Sequence, residues 1–187
     1  MMAEPKIQFG LSKAYYAVRS VSTSGAITYG TPVAIPGAVA LALAAQGEMS
    51  RFYADNVEYA VSQNNQGYSG DFTVARFPDK MRQDIWGDTL GTQSKVLTEH
   101  SQNEAVVFAL LFQTEADLGN TPHVLYDCTA TRPTVTHNTK TDTLNPDTET
   151  CTIRSTPRPD GKVYARATAD TPATTVNSWF TSVFVEA

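Results

Sequence analysis

Three histidines, His100, His123 and His137, are the residues of this chain best suited to hold a metal or move a proton near neutral pH. Their spacing is irregular, and no H-E-x-x-H run or C-x-x-C pair accompanies them, so a zinc site is not expected. Gly67-Tyr68-Ser69-Gly70 approaches a nucleophile elbow. It lacks the closing glycine of G-x-S-x-G and precedes a strand pattern rather than a helix, so it reads as a tight turn. Asp71, Asp79, Asp84, Glu99, Glu104 and Asp117 include the carboxylates from which a glycosidase pair would have to come. Spacing brings no two of them together, and a solvated face is the simpler use. There is no P-loop and no G-x-G-x-x-G. The expectation is a protein without catalytic, cofactor-binding or metal-ligating residues.

Charge narrows the class further. Fourteen Lys and Arg against nineteen Asp and Glu give a formal net charge of -5, which argues against a surface that grips phosphate backbones. Residues 1–10 carry Lys6 with no apolar stretch behind it, so no signal peptide is read and folding in the cytoplasm is expected. Ser20 to Gly47 is free of charge but interrupted by Pro32, Pro36, Gly25, Gly30 and Gly37, a pattern of strands and not of a membrane anchor. Cys128 and Cys151 are the only cysteines, and free thiols are expected in a reducing compartment.

The elements that must position any site are mostly strands, and 187 residues suit a single domain. Ala14 to Val21 reads as the first. A second runs from Ile27 and resumes after Pro36, with Val39, Leu41 and Leu43 facing the core. Glu48 to Asp55 alternates Phe52 and Ala54 with Arg51, Tyr53 and Asp55, the pattern of a half-buried strand. The polar run Ser62 to Gly67 has nothing to bury and should project, as part of a loop spanning about residues 56–67.

Tyr68, Phe72 and Val74 then face inward and Ser69, Asp71 and Thr73 outward. A short helix opens at Pro78 and Asp79, presents Met81, Ile85 and Trp86, and ends at Gly87. The unbroken apolar run Ala105 to Phe112 suits a strand covered on both faces at the centre of the core. Val124 to Ala130 pairs with Glu149 to Ser155 as a long hairpin, and symmetry about Thr139 and Lys140 would set Cys128 opposite Cys151. Lys162 to Ala167 forms a late strand, and Trp179, Phe180, Val183 and Phe184 a helical turn.

Several blocks, in order, resemble the major tail tube proteins of siphophages, the phi13-type major tail protein family. They are Lys6 to Leu11, Thr31 to Ala38, Phe52 to Asn56, Gly67 to Asp71, the helix from Pro78 to Gly87, Phe108 to Phe112, His123 to Cys128, and Arg132-Pro133 before a Thr-rich hairpin. One departure is Phe72-Thr73-Val74-Ala75, which lacks an acidic residue two positions after Asp71. The resemblance implies a mainly β tail-tube fold. Two packed sheets form a sandwich or partial barrel with a short flanking α-helix, and residues 1–13 form an N-terminal arm.

It implies stacked hexameric rings in a virion tail, assembled in the host cytoplasm around a tape-measure protein between initiator (tail-tip) and terminator proteins. DNA would pass through the lumen without specific binding. A type VI secretion tube protein shares that architecture. On this reading Ser69, Asp71 and Thr73 line the lumen, while Asn56, Tyr59, Gln63, Asn64, Asn65 and Gln66 touch the adjacent ring. The competing expectation is a monomeric β-sandwich that binds carbohydrate or a host surface. It needs an exposed aromatic platform, and the only tryptophans, Trp86 and Trp179, both read as core residues.

Overall fold

The computed structural model describes residues 6–117, 119–139 and 146–186. In chain order the strands are β1 (Gln8–Val21), β2 (Ile27–Tyr29), β3 (Val33–Ile35), β4 (Ala38–Gln46), β5 (Met49–Ala54), β6 (Val57–Gln63) and β7 (Gly67–Val74). Helix α1 (Asp79–Trp86) precedes β8 (Thr89–Leu90), β9 (Leu97–Thr98), β10 (Phe108–Ala116), β11 (Thr121–Ala130), β12 (Glu149–Ser155) and β13 (Tyr164–Arg166), and α2 (Ala173–Ser178) closes the order. The protein is mainly β. Nine strands form one antiparallel sheet in the order β2-β1-β10-β11-β12-β7-β4, with β13 added to β11 and β3 to β1.

The sheet curls into a partial barrel. Residues Ala14–Tyr16 of β1 pair with β3, and β3 turns through Pro36 and Gly37 into β4, which pairs with β7. One bent segment therefore belongs to both ends of the sheet. Gly37 takes φ 78 at this corner, which a glycine adopts without steric cost. Inside the curl Tyr16, Ile35, Phe72, Val74, Phe108, Leu110, Leu125 and Ile153 pack with Phe77 and with Met81, Ile85 and Trp86 of α1. The helix matches its expected bounds, and Gly87 ends it in a left-handed conformation, φ 73. Its start differs: no side chain caps it, and the Pro78 carbonyl accepts the first helical N–H, from Arg82 at 3.1 Å.

Of the apolar run 105–112, residues 108–112 lie in β10 and are buried because both faces are covered, whereas residues 105–107 precede the strand and Ala105 is exposed. Phe108 and Leu110 face the inner core. Ala109 and Leu111 face a second cluster with Ala17, Val124, Tyr126 and Trp179, over which the C-terminal segment lies. The helical part of that segment is α2, ahead of the 179–184 stretch where it was expected.

Four other expectations change. Val39 is exposed: the register of β4 against β7 slips between Ala38 and Ala40, and this bulge turns Val39 outward while Leu41 and Leu43 stay on the core. The N-terminal arm is a paired strand from Gln8, because Gln8 to Ser12 lie along Gln113 to Ala116 of β10; residues 1–5 are outside the described residues. The β11–β12 register sets Cys128 against Ser155, whereas Cys151 lies against Phe72 of β7. The assumed centre of the hairpin at Thr139 and Lys140 fails because the long connection need not be symmetric, and Lys140 is outside the described residues. Finally, residues 57–63 of the expected loop are a strand.

Both cysteines are free and buried, and burial pushes each thiol up to about 12. Ellman titration of the folded protein at pH 8 should therefore find no reactive thiol, and titration in denaturant should find both. Equal titration in the two states would contradict this placement.

Candidate functional site

β4 and β7 leave the barrel together and continue as β5 and β6. Gln46 pairs with Gly67 and Met49 with Gln63, and the Gln66 N–H to Gln46 carbonyl bond (2.8 Å) and the Asn64 N–H to Glu48 carbonyl bond (3.2 Å) carry the ladder across the junction. The distal half is thus an arm of two strands with no sheet packed on either face among the described residues. At the junction Gly47 takes φ 151, and a Cβ there would sit 1.7 Å from the Asn64 carbonyl oxygen, so no other residue fits this crossing. At the tip Asp55 and Asn56 both adopt left-handed backbone (φ 51 and 62), the demand of a type I′ hairpin turn that Asp and Asn tolerate.

The arm exposes what a strand normally buries. Phe52 is 63% and Tyr59 72% exposed, and Met49, Tyr53, Val57 and Val61 are exposed with them. A bulge in β6 opposite the Phe52/Tyr53 step brings Tyr59 beside Phe52, with ring centroids 6.4 Å apart and edge to face. Arg51 and Glu58 pair at 3.5 Å. A two-stranded ribbon is at best marginal alone in water, and a contiguous apolar surface of this kind marks an interaction site.

The six residues expected at a stacking contact divide along this arm. Asn56 and Tyr59 lie in its outer part. Gln63, Asn64, Asn65 and Gln66 lie at its root, where Asn65 Oδ1 accepts the Gly67 N–H at 3.0 Å. Sequence reasoning missed Met49, Phe52, Tyr53, Val57 and Val61, because alternation in residues 48–55 was read as one buried and one open face. The Asp55-Asn56 pair between two alternating runs was the available signal for a hairpin.

Ser69, Asp71 and Thr73 share the outer face of β7, as expected, and Asp71 is exposed. Thr152 Oγ1 donates to Asp71 Oδ1 at 2.8 Å, and the Thr73 and Thr150 hydroxyls are 2.9 Å apart. On the other side Ala40, Ala42 and Ala44 of β4 lie against Thr73, Asp71 and Ser69. The result is an outer face of methyls and hydroxyls with one carboxylate and, beside Ser69, Arg154. Beyond it the sheet ends: the second edge of β4 has no strand partner among the described residues, and its nine residues carry no charge. Such an edge presents a row of backbone donors and acceptors ready for another strand.

The buried polar groups elsewhere in the barrel include Asp127 and His123. Asp127 is held by Arg19 at 3.2 Å and by the Tyr29 hydroxyl at 2.8 Å, and Arg158 lies over the rings of Tyr29 and Tyr126. His123 stacks on Phe112, with Nε2 2.8 Å from Thr114 Oγ1 and Nδ1 bonded to the Tyr164 hydroxyl. Burial, aided by Arg166, lowers the His123 pKa from 6.5 to about 4. Between those values the unfolded chain binds a proton that the folded chain refuses, so stability should fall as pH falls from 6.5 to 4. The ceiling is about 3 kcal/mol, reduced by solvent screening. Urea titrations across this window should show the slope in the native sequence and a flatter one in His123→Gln.

Among the described residues no helix is long and apolar enough to cross a membrane. No family model matches the chain, and no curated protein matches it. Among solved structures it is similar to the anti-feeding prophage cap, the AFP tube terminating cap determined by cryo-EM, at 10% identity and a TM-score of 0.45, over 90% of this chain and 93% of that one.

Proposed function

We propose that this chain is a structural subunit, not an enzyme, that builds the tail tube of a long-tailed bacteriophage. Copies join edge to edge into hexameric rings, the rings stack, and the hollow tube forms around a tape-measure protein between initiator and terminator proteins. DNA later passes through it. The observation that carries this reading is the uncharged, unpartnered edge of β4 running directly into an arm with bare aromatic side chains. A lone protein with both features is an aggregation hazard, whereas a ring that pairs every edge and a stack that covers every arm removes it. The ordered blocks that resemble tail tube proteins supply the ring and tube geometry.

Tryptophan gives the monomeric binding-module reading no support, since Trp86 and Trp179 are both buried. Negative-stain electron microscopy at rising protein concentration tests the proposal. Rings and hollow tubes of uniform width are expected. A protein that stays monomeric by sedimentation at every attainable concentration, even with a tail-tip initiator present, would overturn it, and a glycan array would then test the binding module.

In such a tube the face of Ser69, Asp71 and Thr73 lines the lumen, where small hydroxyls and a net negative protein let a phosphate backbone slide without sticking. The native thiols are buried, so an added one can be read alone. Tubes of Asp71→Cys should react with a small maleimide along their length but not with a maleimide on a bulky polymer. Equal reaction with both reagents would place this face on the outside.

A further inference from the structure

The hairpin that forms the arm also fixes where the far end of the molecule lies. β4 begins at Ala38 and the arm leaves beyond Gln46, so the two ends of this nine-residue strand are roughly 30 Å apart, and the arm reaches roughly 20 Å farther. At the Ala38 end is a recess of about 280 Å³ between residues 11–15 of β1 and residues 34–38 of the β3–β4 corner. Leu11, Tyr15 and Pro36 give it apolar surface, with Ile35 buried beneath. It opens where the β1–β10 register breaks between Ser12 and Tyr15 and Lys13 takes a left-handed backbone, φ 49.

We propose that this recess receives the arm tip of a second copy of the same chain. This rests on the tube reading and names the contact that stacks its rings. Protrusion and recess lie at opposite ends of one strand direction, so translation along that direction brings the arm of one subunit to the recess of the next. A contact of this head-to-tail kind never closes on itself and generates an open stack.

Charge agrees with the fit. Lys13 is the only charged residue of the recess; its ammonium lies over the Phe180 ring at 5.7 Å and has no carboxylate partner among the described residues. On the arm Arg51 is taken by Glu58, whereas Asp55, in the tip turn, has no cation partner among the described residues. Docking sets Asp55 against Lys13 and the aromatic pair Phe52 and Tyr59 against the apolar walls.

Tubes carrying both Asn56→Cys and Ala34→Cys, each at an exposed position, test this by oxidation and non-reducing denaturing electrophoresis. The two sites lie too far apart for a bond within one chain. A ladder of covalent multimers is expected from the double variant and none from either single variant. Tubes without a ladder would overturn the docking and leave the tube reading standing, whereas failure of the unaltered protein to form tubes would remove that reading itself. If the cysteine variant does not assemble, charge reversal decides. Lys13→Asp should raise the concentration needed for assembly about tenfold, and Asp55→Lys in the same chain should restore it. Assembly indifferent to both changes would overturn the docking.

Discussion

Replacing Phe52 and Tyr59 together by serine should leave a folded barrel that no longer assembles. Neither ring belongs to either hydrophobic cluster; each packs on the other and is otherwise open to solvent. Removing them therefore takes nothing from the packing of the barrel, and urea unfolding monitored by Trp86 and Trp179 should be unchanged. At an interface the same rings are of the type that dominates binding, where truncation of one aromatic anchor costs about 2 kcal/mol or more. Two such losses together raise the concentration needed for assembly by about a thousandfold. Sedimentation and negative-stain microscopy read that shift. A double variant that assembles normally would show that the arm's aromatic pair is not part of the interface, and one that lowers barrel stability would show that the pair supports the fold.

Asp127→Ala should strongly destabilise the barrel. The carboxylate is 3% exposed and is reached from β1 by Arg19 and from β2 by Tyr29. Deleting it leaves a guanidinium facing a void, and breaking a buried pair in this way costs about 3–5 kcal/mol. Asp127 also takes a left-handed backbone, φ 44, where alanine is strained by about 1–2 kcal/mol. Asp127→Asn separates the two costs. It tolerates that backbone and keeps an acceptor for Tyr29, so it should lose the charge pairing and retain the rest. Thermal or urea unfolding should order the three proteins as native, then Asn, then Ala. An alanine variant within about 1 kcal/mol of native would mean that Arg19 recovers water at no cost.

What could be read in advance was whatever the chain encodes locally. The stripe of Met81, Ile85 and Trp86 with Gly87 after it fixes α1, and an apolar run as dense as residues 108–112 leaves a strand no face to give to solvent. Ser69, Asp71 and Thr73 alternate with Phe72 and Val74 for the same reason. What failed depends on partners distant in sequence. Alternation in residues 49–54 reports that a strand has two faces and says nothing of whether the fold covers either. The register of Cys128 is set by the pairing of β11 with β12, whose other edge is held by β7. The bulge at Val39 is the adjustment of one strand to another, so it leaves no mark in a single segment. For the assembly surface this meant that the turn, Tyr59 and the polar root were visible while Phe52, the partner of Tyr59, was assigned to a buried face.

The order of pairing also governs how the chain reaches its fold. β1 finds its partner β10 roughly a hundred residues away, whereas β4 through β7 close on themselves as one local hairpin. Local ribbons form in microseconds and distant strand pairings in milliseconds to seconds. Each newly made or refolding chain consequently samples its adhesive ribbon, marginal on its own, before the barrel that carries it exists. Crowded refolding favours tangles over productive joining, and dilution during refolding, followed by concentration of the finished subunit, favours the reverse.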